Sequence, residues 1–213
     1  MCTPAFQGQG VDAQVSNQIR VESFTGSAAR RYIPDLARLR ARVFYDFPYL
    51  YEATPDYEQK YLETYTSSPD SVIVIAFDGD TIMGAATALP MAHEPDYATA
   101  PFKARGYDLD KIFYCGESVL DRAYRGRGLG VAFFEHREAW AKKLGRFTHS
   151  CFCGVVRPTD HPRRPKDFVP LDAFWQKRGY RKMDGMTTTF TWRDLDEKEP
   201  SPKTMQFWIK ELR

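Results

Sequence analysis

The chain has few cysteines, no long apolar run and no repetitive tract, and each absence removes a class of protein. Four cysteines in 213 residues are too few for a disulfide-stapled scaffold. No apolar stretch approaches the roughly 20 residues of a membrane-spanning helix. Residues 1–16 are polar, with no basic segment leading into an apolar one. A secretion signal is therefore not expected, and the cytoplasm is the expected compartment. What is present is 43% hydrophobic residues, 15% aromatics and 27% charged residues, a balance that supports a packed core and excludes wholesale disorder. The length suits one domain with extensions. Residues 1–18 read as a flexible polar tail, and 19–213 as a single domain with a C-terminal extension.

The net charge of +2 conceals an asymmetry. Residues 122–182 hold fifteen Lys and Arg against five Asp and Glu, so the rest of the chain is net acidic. A block this basic is either a solvated face or a surface that attracts an anion.

Local patterns give the element order. Residues 19–24 have the composition of a first strand. Ile33, Leu36, Ala37, Arg40 and Val43 recur at helical spacing within residues 28–44, with Ser27 as cap and Pro34 early enough to fit a first turn or delay the start. Thr54-Pro55 opens a helix to about residue 66, with Tyr57, Tyr61 and Tyr65 on one face. Residues 71–77 and 81–89 form a hairpin about Asp78-Gly79-Asp80. Residues 90–110 show no clear periodicity. Residues 111–120 are a strand in which Gly116 marks a bulge or a close backbone approach. A helix over 128–144 ends at Gly145, followed by a strand over 146–156, a Pro-rich basic loop to 170 and a short helix over 171–178. Residues 186–192 alternate like a strand, and 205–212 are a final apolar segment. Strands and helices alternate around one hairpin, which predicts an α/β domain with a mixed sheet.

The chemistry concentrates in Arg125-Gly126-Arg127-Gly128-Leu129-Gly130, between a strand and a helix. Glycines let backbone N–H groups approach a ligand, a helix start offers unsatisfied donors, and two arginines add positive charge; together they predict phosphate binding. The segment lacks the Gly-Lys-Ser/Thr of a nucleoside-triphosphate loop and the third glycine of the dinucleotide fingerprint.

Arg125-x-x-Gly128-x-Gly130, in this order of elements, resembles the GNAT N-acetyltransferase superfamily. The acidic hairpin at Asp78-Gly79, the bulged strand at Gly116 and Phe174-Trp175-x-x-x-Gly179-Tyr180 extend the likeness over residues 19–192. The resemblance implies a mixed central sheet whose two parallel strands splay apart, flanked by helices, with acetyl-CoA in the gap. Val119 and Leu120 would pair with its pantetheine arm, and the amides of Arg125, Gly126, Arg127, Gly128, Leu129, Gly130 and Val131 would hold its diphosphate. The implied reaction is acetyl transfer to a primary amine, a small molecule in preference to a protein. An amine of pKa near 10.4 costs about 4.6 kcal/mol to deprotonate at pH 7, so a base is wanted. Glu117, a carboxylate among apolar strand neighbours, is the candidate, with the Val119 N–H as oxyanion donor. Trp175 stands where relatives often carry an acidic Tyr, and an indole cannot serve. Tyr180 is the candidate acid, with Tyr114, Tyr124 or a water as alternatives. Trp175 also leaves open a catalytically silent CoA-binding sensor or scaffold. Many relatives form dimers, so a homodimer fits the resemblance; membrane and nucleic acid are not expected partners.

Cys151 and Cys153 share one strand face near His149 and His161, but the spacing favours buried free cysteines over zinc or a cysteine nucleophile. No metal is expected. The acceptor side, residues 47–65 and 93–107, is acidic and aromatic, which suits a cationic amine.

Overall fold

The strand Val72–Asp78 is apolar at almost every position because both of its faces are covered. Val72, Val74 and Ala76 face one core, and Ile73, Ile75 and Phe77 the other. The computed structural model describes residues 19–213; the tail expected over residues 1–18 lies outside them.

That strand is β2 of a seven-stranded sheet. The others are β1 (Ile19–Thr25), β3 (Thr81–Pro90), β4 (Ile112–Leu120), β5 (His149–Val155), β6 (Arg181–Trp192) and β7 (Ser201–Glu211), in the order β1-β2-β3-β4-β5-β7-β6. Every neighbouring pair is antiparallel except β4 and β5. Helices α1 (Ile33–Phe44), α2 (Pro55–Ser67) and α3 (Asp96–Ala104) pack on one face, through residues such as Leu36, Leu62 and Phe102. The other face carries α4 (Leu129–Leu144) and α5 (Asp172–Lys177), through Phe133, Phe134 and Phe174. We call these the front and the back of the sheet.

Three elements differ from their expected form. The first helix begins at Ile33, after a 3-10 segment over Gly26–Tyr32. Pro34 lacks an N–H and its ring would meet the carbonyl four residues back, so it sits in the first turn of α1. The stretch 90–110 is not irregular. It contains α3, whose buried Ala98, Thr99 and Phe102 form an apolar face too short to register as periodicity. The strand expected from residue 146 begins at His149: Arg146 is occupied by Asp70 at 2.6 Å, and Phe147 packs 5.0 Å from the Phe113 ring.

The bulge expected at Gly116 is present. Thr87 of β3 pairs with Glu117 and Ala88 with Cys115, leaving Gly116 as the extra residue. A Cβ at Gly116 would overlap the Tyr65 hydroxyl, which lies against the bulge with the Thr87 hydroxyl beside it. From behind, the buried Arg137 of α4 donates to the Glu117 carbonyl at 3.0 Å and the Thr87 carbonyl at 3.4 Å. Gly116→Ala is expected to cost about 1–3 kcal/mol, with much of the loss recovered by adding Tyr65→Phe. Urea denaturation of the single and double variants measures both.

Candidate active site

β4 and β5 run together for only three residues. Ile112 pairs with His149, Phe113 with Ser150 and Tyr114 with Cys151; beyond that point no pairing joins them. The fork opens where the Gly116 bulge bends β4 away, since a bulge increases local twist. At its base the Tyr114 hydroxyl lies 3.2 Å from the Cys153 sulfur. From Cys115 to Leu120, the β5-facing edge of β4 is open. Val119 is buried and Leu120 half-buried along it.

The Arg125–Gly130 segment follows the open edge directly. Gly126 and Gly128 have φ of +77° and +82°, a region that L side chains rarely adopt, and a Cβ at either would meet nothing within 4 Å. Gly128 is the N-cap of α4, and no side chain caps that end. The Leu129 and Gly130 N–H groups at the start of α4 therefore remain as donors, strengthened by the helix dipole, whereas the Val131 N–H expected beside them is already bonded to the Gly128 carbonyl at 2.9 Å. Arg125 and Arg127 are exposed beside them; Arg127 rests over the Tyr124 ring at 5.1 Å, and the Tyr124 hydroxyl donates to Asp78 at 2.6 Å. Gly130 serves packing instead: Phe174 of α5 lies 3.3 Å from where its Cβ would be.

Glu117 lies on the front, just past the fork. Its carboxylate is ion-paired with Arg40 of α1, which also pairs with Glu58 of α2. All three side chains are buried, at 7% exposure or less, and Arg40 is stacked between Tyr61 at 4.1 Å and Phe44 at 5.0 Å. Tyr180 is elsewhere. It is buried in the back core, its hydroxyl 2.8 Å from the Ser150 hydroxyl and donating to Glu138 of α4 at 3.2 Å. Ser150 belongs to the paired base of the fork, so the structure does not bring Tyr180 together with Glu117. Burial raises the Tyr180 phenol well above its ordinary value. Trp175 packs on Gly154 of β5 and against Phe152 and Trp208, forming the back wall of the fork on the β5 side.

Glu94 lies between the 3-10 turn Met91–His93 and α3, where the chain leaves β3 beside Phe113. Burial pushes its carboxyl from 4.5 up to about 7. Burial also drives the Cys153 thiol up to about 12, so it is not a thiolate at neutral pH. That removes the chemistry required of a cysteine nucleophile.

These features, a strand fork with a glycine-rich helix start at its edge, have counterparts among known proteins. The sequence profile of the acetyltransferase (GNAT) family matches residues 34–165, more than half of the chain. The chain belongs to the GNAT acetyltransferase family. A search of curated protein sequences finds no match. Solved structures share the fold at low identity. An N-acetyltransferase from Staphylococcus aureus is 12% identical with a TM-score of 0.60, over 92% of this chain and 99% of its own. One from Kribbella flavida is 18% identical at 0.56, over 91% and 98%. A GNAT-family acetyltransferase from Streptococcus pneumoniae is 13% identical at 0.55, over 91% and 99%.

In this GNAT chain the long connection between β5 and α5 lies at the rim of the fork. Arg157 starts it, bound to the carbonyls of Pro48 at 2.7 Å and Tyr49 at 2.8 Å. His161 and Phe168 pack on Phe47, with ring centroids 5.6 and 4.7 Å apart. Asp167 comes within 3.6 Å of Arg122, at the approach to the glycine loop. The basic loop thus runs from the acceptor-side turn to the edge of the glycine segment. The ion pairs of Arg40 and the carbonyl contacts of Arg137 are not legible in the sequence. The one signal available for the two arginines was charge at an apolar-face position, Arg40 in the α1 stripe and Arg137 one turn after Phe133.

Proposed function

We propose that the chain transfers the acetyl group of acetyl-CoA to a primary amine, with a small molecule as the acceptor. The observation that carries this reading is the fork: one open strand edge, Cys115 to Leu120, running into an uncapped helix start flanked by two exposed arginines. A strand edge with free backbone groups suits an extended amide-bearing arm, as in β-strand addition. An uncapped helix start with glycines at positive φ suits a diphosphate. The residues present fit acetyl-CoA on both counts: Val119 and Leu120 stand on the edge, and the segment from Arg125 to Gly130 would form the anion cradle. When bound, acetyl-CoA supplies the thioester and a good leaving group. The protein's task is to hold the amine at the fork, free it of a proton and donate hydrogen bonds to the developing oxyanion, for which the Val119 N–H is the proposed donor.

Calorimetric titration with acetyl-CoA tests the reading. Micromolar binding is expected, and the Arg125→Ala/Arg127→Ala variant should bind about tenfold or more weakly, since each arginine supplies a charge-assisted contact. Absence of binding by the wild-type protein would overturn both acetyl transfer and a silent CoA-binding role.

A further inference from the structure

Three elements converge on one guanidinium at the front of the fork. Arg40 of α1 is ion-paired with Glu58 of α2 and with Glu117 of β4, so two carboxylates share a single cation. Among the described residues, no second lysine, arginine or histidine comes within ion-pair distance of either carboxylate. The Oε1 atom of Glu58 is buried without a hydrogen-bond partner, so its charge is answered by Arg40 alone. Tyr61 covers the guanidinium at 4.1 Å, and its hydroxyl lies 2.9 Å from that of Tyr65, which rests against the Gly116 bulge. Burial raises both phenols above their ordinary value, so they stay neutral. From behind, Arg137 donates to the backbone carbonyl of Glu117 and not to its carboxylate.

With both carboxylates ionised, the trio holds one negative charge too many for a site this poor in water, and one added proton neutralises it. Glu117 is the member that a ligand can reach: its side chain is 7% exposed against 1% for Glu58, and it follows the bulge at which β4 leaves β5. We propose that the trio works as one base, in which Glu117 takes the proton of the acceptor amine and Arg40 and Glu58 act through it as positioning residues. Arg40 fixes the Glu117 carboxylate at the fork, and Glu58 draws part of the guanidinium charge away from it. The inference rests on the acetyltransferase reading above, and it accounts for how a carboxylate held by arginine keeps its affinity for a proton. The step balances. Glu117 takes one proton from the ammonium; the nitrogen lone pair forms the C–N bond at the thioester carbonyl. The C–S bond breaks, and the second proton shed by nitrogen neutralises the CoA thiolate. Glu117 then returns its proton to solvent.

A purely structural role for Glu58 and the role proposed here differ in the pH profile. In Glu58→Gln the trio becomes a neutral Arg40–Glu117 pair. Arg40 then serves Glu117 alone, which keeps that carboxylate ionised to lower pH and makes it a poorer base.

The test measures thiol release from acetyl-CoA with three probes, phenethylamine, putrescine and Nα-acetyl-lysine amide, across about pH 5 to 9. Wild type, Glu58→Gln, Glu58→Asp, Arg40→Lys and Glu117→Gln are compared, with acetyl-CoA affinity taken by calorimetry for each. Glu94→Gln joins them, because the Glu94 carboxyl titrates at about 7 and is the other group that would give an acid limb in this range. The wild type should show an acid limb in kcat/KM. Glu58→Gln should move that limb down by about one pH unit or more and lower the plateau about tenfold. Glu58→Asp keeps the charge and should restore much of the wild-type profile. Arg40→Lys keeps the cation without the planar fork, so the limb should stay near its wild-type position at a lower rate. Glu117→Gln should lose the limb and about 100-fold in rate, with acetyl-CoA affinity unchanged throughout. An unmoved limb in Glu58→Gln, a full rate in Glu117→Gln, a limb abolished by Glu94→Gln, or no amine-dependent release by the wild type each overturns the proposal. In all four cases intact acetyl-CoA binding leaves the broader reading standing, whereas its absence defeats that reading first.

Discussion

Arg40→Met should lower the stability of the fold by about 3–5 kcal/mol. The methionine fills most of the space between Tyr61 and Phe44 but leaves Glu58 and Glu117 as buried carboxylates without a cation. Removing one member of a buried ionic cluster costs more than the cluster contributes, because the desolvated charge left behind has no compensation. The comparison that isolates this cause is Arg40→Met combined with Glu58→Gln and Glu117→Gln, which should recover most of the loss. Urea denaturation at pH 7 gives both numbers. A loss below about 1 kcal/mol would mean that water reaches the carboxylates, contrary to their burial. Arg40 joins α1 to α2 and both to β4 beside the bulge, so the same variant should also relax the mouth of the fork.

The distribution of what was legible in the chain follows from the range of the interactions. The hairpin at Gly79, the Gly116 bulge, the Gly145 helix end and the Arg125–Gly130 segment are local: backbone sterics and short-range capping produce them, and a window of a few residues contains their cause. β7 also read as apolar, but its place between β5 and β6 did not show. That insertion depends on pairings such as Phe152 with Trp208 and Thr188 with Met205, which no single window contains. Gln206 illustrates the point, its amide closing the break in β6 by donating to the carbonyls of Met183 and Met186 at 2.7 and 3.1 Å.

The catalytic region shows the same division. The glycine segment declared itself because the anion binding proposed for it is carried by its own backbone. Glu117 stood out because a charge in an apolar strand demands a partner, yet the partner, Arg40, lies 77 residues earlier and was read as part of an apolar stripe. Tyr180 shows the converse. The pattern Phe174-Trp175-x-x-x-Gly179-Tyr180 places a phenol near the end of α5 in sequence, but Gly179, at φ +86°, turns the chain so that the ring enters the back core against Phe134 and Phe152, both 5.0 Å away.

Asp194→Asn should cost about 3 kcal/mol or more and should loosen the acceptor-side turn without touching the glycine segment. Asp194 is buried where β6 ends. It binds both terminal nitrogens of Arg157, at 2.6 and 2.9 Å, and lies 3.5 Å from Lys203 of β7. Arg157 uses its remaining donors on the Pro48 and Tyr49 carbonyls, the Trp192 indole donates to Tyr49 at 3.0 Å, and the Leu195 amide donates to the Leu50 carbonyl at 2.8 Å. This web holds Leu50 at φ +54°, a left-handed conformation costly for a side chain of that size, and so fixes Tyr49 and Tyr51 on the front of the fork. Glu197 cannot replace the lost charge. Its carboxyl, drawn down to about 2 by hydrogen bonds from Lys203 and Ser201, is already spent on Lys203. An asparagine would keep the shape and leave Arg157 and Lys203 buried together with one charge too few. Two readouts separate the effects. Denaturation should show the stability loss, while calorimetry should show acetyl-CoA affinity close to that of the wild type, because among the described residues the hydrogen bonds and ion pairs of Asp194 go to Arg157, Lys203 and Glu197 and not to β4 or the glycine segment. A parallel fall in acetyl-CoA affinity would show instead that the turn and the fork move as one unit, through the rim that runs from Arg157 past Phe47 to Arg122.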